Sequence, residues 1–354
     1  MQLITALATP FENGKIHILS YLKLLERQKA ADGILCVGTT AESGMLSPKE
    51  KKLLIRTART MLPNKKIWVG IGGDTASAIK EGLFAKRNGA DGLMITPPSF
   101  FKCTKEGFVQ HVSAICAQTQ LPIMLYNAPS RCCYTLWQDA VEMLSDKGIC
   151  MKDAGSDLNY ARALAPKLPI FCGNEELLRQ FCDVGAVGVV SVVSNVAPNL
   201  TKHVMQIFEN QRKSTKERAE ELCEKCGKAN CDCHAGHKKH QECDNEKSKK
   251  KFTNDIGRRQ EVDEKCKKSK NNFENDIGIG NKICNTATAM DKKNIDDYQM
   301  LAKLAFCELN PIPIKYMLYK EGVFSTFDMR LPLTSASTET QKLIDEFWQI
   351  NFER

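Results

Sequence analysis

Lys152 is the residue of this sequence with the clearest potential for covalent chemistry. It directly follows the apolar residues Ile149, Cys150 and Met151, at the end of a predicted strand. Burial at such a position favours the neutral amine, which is nucleophilic and attacks carbonyl carbon to form a Schiff base. A surface lysine on a wrongly assigned strand fits this position equally well. The residue alone therefore leaves both interpretations open.

Two other segments contain groups that suit the same chemistry. Tyr126 ends a second apolar run, and Arg131 follows it five residues later. A phenol at a strand end can transfer protons, and a guanidinium group binds carboxylates with a planar pair of donors. In a third segment Gly38 precedes Thr39 and Thr40, so that close backbone approach and two hydroxyls could hold a carboxylate. Each segment alone also fits a packing tyrosine, a solvent-exposed arginine or an ordinary turn.

Eight short apolar runs indicate the elements that position these residues. The runs are nearly continuous, which is typical of parallel strands covered on both faces. They occupy residues 3–9, 33–39, 67–72, 92–96, 122–127, 148–152, 169–173 and 187–195. Amphipathic stretches lie between them, and one begins with an N-terminal capping pattern formed by Ser47, Pro48 and Glu50.

Eight successive β-then-α units predict a (β/α)8 TIM barrel over residues 1–209. A doubly wound open sheet is the alternative. In a barrel the functional groups lie just after the strands, at the carboxyl ends, and Thr39, Tyr126 and Lys152 all have such positions. The pattern therefore brings the three candidate segments to one end of the fold.

Composition limits the class of protein. The chain has 354 residues, of which 42% are hydrophobic and 26% charged, as in a globular protein. Its net charge of +8 is concentrated in residues 210–293, so we predict no nucleic-acid partner. No apolar run approaches the roughly 18–20 residues that span a bilayer, and the first residues lack a signal-peptide pattern. We therefore expect a cytoplasmic protein with free cysteines and no membrane association.

Residues 210–293 differ from the rest of the chain. They are rich in Lys, Asn, Glu and Cys and poor in aromatic residues, which predicts a solvated insertion before a C-terminal helical region at 294–354. Thiols and imidazoles are dense here, and zinc binds both. The candidate ligands are Cys223, Cys226, Cys231, Cys233, His234, His237 and Cys243. Two CxxC pairs at the spacing of a standard zinc finger are missing. Chance enrichment of cysteine in a basic segment is therefore the alternative.

In this order along a barrel pattern, the three segments resemble the dihydrodipicolinate synthase (4-hydroxy-tetrahydrodipicolinate synthase) family of pyruvate-dependent class I aldolases and lyases. The resemblance covers residues 1–209 and resumes from about residue 296. It includes the late segments at 310–315 and 330–333. It implies a homo-oligomeric lyase, a dimer or tetramer, that needs no metal or organic cofactor.

The resemblance also implies a role for each candidate residue. Lys152 would form a Schiff base with pyruvate. Tyr126 would transfer protons, and Thr39 would link it to a tyrosine of a neighbouring subunit. The residues implied to bind the substrates are Thr40, Arg131 and Val190, with Arg131 binding the carboxylate of aspartate semialdehyde. The implied reaction condenses the two substrates to 4-hydroxy-tetrahydrodipicolinate in lysine biosynthesis.

One departure from the family concerns the proton relay. Phe100 stands where the family has the intersubunit tyrosine, and it has no hydroxyl. Either water or another group replaces the tyrosine, or turnover is reduced. Two alternative functions stay open: a related aldolase for another aldehyde, such as a sugar acid, and a weakened homologue that serves as a metal-binding or interaction scaffold. Arg131 favours a short carboxylated aldehyde over a sugar acid.

Overall fold

Eight parallel strands form a closed barrel in the computed structural model of the chain, which describes residues 1–98, 102–226 and 288–351. Each strand pairs with the next along the chain, and the last pairs with the first. This confirms the predicted barrel and rules out the open sheet. The strands are β1 (Gln2–Ala6), β2 (Gly33–Cys36), β3 (Lys66–Ile71), β4 (Gly92–Ile95), β5 (Ile123–Asn127), β6 (Cys150–Asp153), β7 (Ile170–Cys172) and β8 (Gly188–Ser191).

Helices follow each strand and continue after the barrel. They are α1 (Ile18–Glu26), α2 (Pro48–Met61), α3 (Thr75–Arg87), α4 (Lys105–Thr119), α5 (Gln138–Leu144), α6 (Leu158–Leu164), α7 (Leu178–Asp183), α8 (Pro198–Cys226), α9 (Ala289–Ala305), α10 (Ile312–Lys320) and α11 (Thr338–Asn351). A short hairpin, Phe11–Glu12 with Lys15–Ile16, precedes α1. Contacts divide the chain into two compact units, Met1–Glu209 with Ala289–Arg354, and Asn210–Thr288. Within the described ranges, no helix has the length and apolar character to cross a lipid bilayer.

The side chains of the barrel strands alternate between two buried clusters. One cluster fills the space between strands and helices. The other, here called the barrel interior, consists of Ile4, Ala6, Leu35, Trp68, Met94, Met124, Tyr126, Ala128, Phe171 and Val190, with Cys150 and Ala154 packed against it. Successive side chains of a strand point to opposite faces. Lys152, midway between Cys150 and Ala154, therefore belongs to the face that points into the barrel.

A C-terminal arginine fixes the loop between β2 and α2. The predicted cap of α2 is confirmed, because Ser47 N donates to Glu50 Oε2 at 2.9 Å and Glu50 N donates to Ser47 Oγ at 3.3 Å. Arg330 donates to both oxygens of Glu50 and to the carbonyl oxygen of Met45. Hydrogen bonding from Arg330 lowers the pKa of Glu50 to about 2. The loop that carries Thr39 and Thr40 is thus tied to the C-terminal region.

We predict that Glu50→Gln destabilises the protein above pH 4.5 and has little effect near pH 2. The carboxylate has a lower pKa in the folded state than its ordinary 4.5, so its contribution is present above that value and is lost as the pH falls toward 2. Because solvent screens this partly exposed pair, we expect a loss of about 1–2 kcal/mol at pH 7. Thermal unfolding measured from pH 7 to pH 2 tests this.

The exposed ion pair between Lys105 and Asp139 provides the matched control. Asp139→Asn should lower the melting temperature at pH 7 by less than Glu50→Gln does, because solvent screens an exposed pair more strongly. Equal effects of the two substitutions, or an effect of Glu50→Gln that does not diminish at low pH, would contradict the role given to Glu50.

Candidate active site

Lys152 and Tyr126 face each other near the carboxyl end of the barrel. The two residues are partners in the register of β5 and β6. Lys152 Nζ lies 4.7 Å from the centroid of the Tyr126 ring, within the range of a cation–π contact. Each residue is only 6% exposed. Lys152 Nζ forms no hydrogen bond or ion pair with any residue that the structure describes.

A second buried lysine has the carboxylate partner that a buried lysine usually has. Lys315 is fully buried, and its Nζ donates to Glu42 Oε1 at 2.7 Å. Burial lowers the pKa of Lys315, and the adjacent Glu42 carboxylate opposes this effect. A lysine held by a carboxylate is kept as an ammonium ion, which is not nucleophilic. Lys152 Nζ has no such carboxylate partner among the described residues.

Gly173, directly after β7, leaves space for the Lys152 side chain. Lys152 pairs in register with Phe171, and Gly173 follows β7 directly. A Cβ atom at Gly173 would lie 2.9 Å from Lys152 Cε and 2.9 Å from the carbonyl oxygen of Asp153. No ordinary side chain fits at this distance without displacing one of the two. Val190, from β8, is buried in the same barrel interior.

On the opposite face of β5 and β6, a buried hydrogen bond joins Asn127 to Asp153, the residues directly after Tyr126 and Lys152. Asn127 Nδ2 donates to Asp153 Oδ1 at 2.9 Å, and Asn127 Oδ1 accepts from the backbone N–H of Leu136. Burial raises the pKa of Asp153. Since Asn127 follows Tyr126 and Asp153 follows Lys152, this pair fixes the spacing of the two strand ends. No local pattern in the sequence indicates this pairing of Asn127 with Asp153.

Above the barrel interior, a cavity of about 460 Å³ opens at the carboxyl ends of the strands. Its lining includes Gly38, Thr39, Thr96, Arg131 and Asn310 but not Lys152, Tyr126 or Val190, which are buried in the barrel. Asn310 Nδ2 donates to Thr40 Oγ1 at 3.1 Å, and Arg131 donates to the Asn310 carbonyl oxygen at 3.4 Å. Asn310 therefore joins two of the predicted substrate-binding residues. No local pattern in the sequence indicates this contact, because Asn310 is 270 residues from Thr40.

The remaining candidate residues are only partly described. Phe100 lies outside the described residues, as do Cys231, Cys233, His234, His237 and Cys243. Cys223 and Cys226 lie in the last turn of α8. Among the residues that are described, no group of three or more metal-binding side chains could hold a metal ion. The zinc site and the altered proton relay therefore stay predictions.

The fold and site define a class of protein: a (β/α)8 barrel that buries a lysine near the carboxyl ends of its strands, with no carboxylate partner in the part of the chain that the structure describes. Comparison with known proteins narrows this class. Residues 1–232 match the model of the dihydrodipicolinate synthetase family, and the chain belongs to this family.

Individual proteins with the name of this family are similar to nearly the whole chain. The 4-hydroxy-tetrahydrodipicolinate synthase of Rickettsia bellii is 31% identical and covers 97% of this chain and 95% of its own length. The solved structure of the synthase from Methylacidiphilum fumariolicum SolV is 27% identical, with a TM-score of 0.72 over 98% of this chain and 94% of that one. The enzyme of Acinetobacter baumannii, solved with pyruvate, has the same TM-score at 24% identity, with 98% and 97% coverage, and shows the fold alone.

We predict that Gly173→Ala impairs the reactivity of Lys152 without unfolding the protein. The added Cβ would displace Lys152 Cε or the Asp153 backbone. A shift of about 1 Å in a reacting group can reduce the rate roughly 100-fold. Time-resolved formation of a lysine adduct with a keto acid, trapped by borohydride, measures this change.

Gly44→Ala is the matched control, because Gly44 lines the cavity but a Cβ there would meet no atom within 4 Å. This variant should react at the wild-type rate. If Gly173→Ala also reacts at that rate, Gly173 does not position Lys152.

Proposed function

We propose that this chain catalyses the condensation of pyruvate with aspartate semialdehyde to 4-hydroxy-tetrahydrodipicolinate through a Schiff base on Lys152. The observation that carries the proposal is the buried Lys152 amine, which faces Tyr126 and has no carboxylate partner among the described residues. Membership of the dihydrodipicolinate synthetase family and the names of the relatives support it.

In the first half of the reaction, the Lys152 amine adds to the C2 carbonyl of pyruvate. The carbinolamine that forms loses its oxygen as water and becomes an iminium ion. Tyr126 lies beside the amine, so its hydroxyl is suited to deliver and remove the protons of these steps. The iminium group makes the pyruvate methyl acidic, and loss of one methyl proton gives the enamine. The iminium nitrogen accepts the electron pair released from this C–H bond, so the chemistry requires no metal or organic cofactor.

Residues above the amine would hold the pyruvate carboxylate. Thr40 and the adjacent backbone amides are the proposed ligands, and the hydrogen bond from Asn310 fixes the Thr40 hydroxyl. Val190 in the barrel interior would pack against the bound pyruvate. Thr39 lines the cavity, and in this proposal its hydroxyl would pass protons between Tyr126 and solvent or a neighbouring subunit.

In the second half, the enamine carbon attacks the aldehyde carbon of aspartate semialdehyde and a new carbon–carbon bond forms. Arg131, at the cavity wall, would bind the carboxylate of this substrate with charge-assisted hydrogen bonds. The amino group of the substrate then attacks the iminium carbon. The Lys152 amine leaves, and the cyclic product is released.

The residues with proposed catalytic roles all lie within residues 1–209, upstream of the insertion. We propose that residues 210–293 lie outside the catalytic machinery, whereas the C-terminal region supports it through Asn310. We further propose that the protein is a homo-oligomer, either a dimer or a tetramer, as the family resemblance implies.

Turnover of the purified protein with the two substrates tests the function. We expect consumption of both substrates and formation of the cyclic product, followed by mass spectrometry, with no activity in Lys152→Ala. Lys167→Ala, which removes an exposed lysine, is the control and should keep full activity. Turnover of pyruvate only with a sugar-type aldehyde would support the related aldolase. Inactivity of the folded wild-type protein with every aldehyde would support the scaffold alternative.

We predict that Arg131→Ala raises the KM for aspartate semialdehyde about 10- to 100-fold, because a charge-assisted hydrogen bond of about 1.5–3 kcal/mol is lost. The KM for pyruvate should change less than threefold, as judged from steady-state kinetics with each substrate varied in turn. Arg131→Lys keeps the charge but loses the planar pair of donors, so it should recover only part of the affinity. Equal increases in both KM values would contradict the assignment of Arg131.

A further inference from the structure

The turn that carries Thr39 and Thr40 has unusual backbone geometry at both ends. Val37 precedes it with a φ of 55°, and Glu42 follows it with a φ of 56°. Both values lie in the left-handed region, which is unfavourable for residues other than glycine and most of all for a β-branched residue such as Val37. Strained backbone of this kind persists only when surrounding contacts enforce it. Such contacts must therefore exist around this turn.

Local hydrogen bonds close the turn. The backbone N–H of Ala41 donates to the Gly38 carbonyl at 3.2 Å, and the N–H of Glu42 donates to the Thr39 carbonyl at 2.9 Å. Thr9 Oγ1 donates to the Ala41 carbonyl at 2.9 Å. These bonds define the shape of the turn, but bonds of this kind also occur in unstrained turns. They do not by themselves explain why Glu42 adopts a positive φ.

The Glu42 side chain is held far more strongly. Its carboxylate is fully buried and accepts a hydrogen bond from Lys315 Nζ at 2.7 Å and one from the backbone N–H of Arg330 at 3.4 Å. Lys315 is also fully buried, and its Nζ lies 4.5 Å from the centroid of the Phe11 ring. Separating two such charges would leave each one buried and unpaired, which is strongly unfavourable. The pair therefore restrains Glu42, and with it the end of the turn.

The same C-terminal segment contacts the turn at a second point. Asn310 immediately precedes the segment that forms α10, and its side chain donates to Thr40 Oγ1. Lys315 lies on α10 itself, five residues later. The turn is thus held at two points. Asn310, just before α10, donates a hydrogen bond to Thr40, and Lys315 on α10 forms an ion pair with Glu42.

We propose that Glu42 and Lys315 are positioning residues, whose buried ion pair holds the 38–41 turn, flanked by the strained residues Val37 and Glu42, in the conformation in which Thr40 and the adjacent backbone amides bind the carboxylate of the keto-acid substrate. This inference rests on the proposed function. The pair itself does not touch the reacting atoms. It acts through the turn, so its loss affects binding of pyruvate before it affects the chemistry on Lys152.

Two variants test the proposal: Lys315→Met and the double variant Glu42→Gln/Lys315→Met. In Lys315→Met the buried Glu42 charge is left unpaired, so we expect lower thermal stability and at least a tenfold higher KM for pyruvate, with kcat changed less than threefold. The double variant has no buried charge and should recover most of the lost stability. Because the restraint on the turn is still absent, its KM for pyruvate should stay at least tenfold above wild type.

The double variant separates positioning from a purely structural role. If the ion pair only stabilises the fold, recovery of the melting temperature restores the pyruvate KM, and the proposal is wrong. Lys320→Met is the matched control, because Lys320 lies on the same helix and pairs with Asp345 at 3.0 Å near the surface. It should leave the pyruvate KM unchanged.

Trapping with pyruvate and borohydride separates this inference from the proposed function. If the wild-type protein forms no adduct on Lys152, the proposed function fails. If the wild type forms the adduct and both Lys315→Met and the double variant reach half-saturation at the wild-type pyruvate concentration, the proposed function stands and the positioning role of the ion pair is refuted.

Discussion

Burial of an amine without a neighbouring carboxylate is the constraint on which the rest of this site depends. Within the described ranges, Lys152 Nζ has the Tyr126 ring beside it and no acidic partner. An unpaired charged group is costly to bury, and a lysine in such a place is therefore uncommon in a merely structural role. The barrel maintains this environment by pointing Lys152 inward from β6 and leaving space for it at Gly173. The hydrogen bond between Asn127 and Asp153 then fixes the strand ends on either side of the reacting pair.

The C-terminal region supplies the support that the barrel strands do not. Three of its residues contact the segment that runs from the end of β2 into the first turn of α2: Asn310 binds Thr40, Lys315 binds Glu42, and Arg330 binds Glu50. Each contact joins residues more than 250 positions apart in the sequence. The two buried lysines consequently have opposite roles. Among the described residues, Lys315 forms an ion pair with Glu42, whereas Lys152 forms none, and we propose the structural role for the first and the chemical role for the second.

The sequence was sufficient to predict the elements whose signal is local. Apolar runs predicted the eight strands, and the spacing of Ser47 and Glu50 predicted the start of α2. The final strand was predicted to reach residue 195 but ends at Ser191, because Asn195 turns the chain by donating to the carbonyl oxygens of Val192 and Ala6. An apolar run does not reveal such a turn. Likewise, the space at Gly173 and the contacts of Asn310 depend on packing between distant segments, which no local pattern encodes.

Reductive trapping tests the central claim most directly. The wild-type protein would be incubated with pyruvate and borohydride, digested, and mapped by mass spectrometry. The account predicts one reduced pyruvyl adduct, located on Lys152, with the buried but ion-paired Lys315 unmodified. Labelling of Lys315 or of surface lysines in place of Lys152, or the absence of any adduct on folded protein, would contradict it.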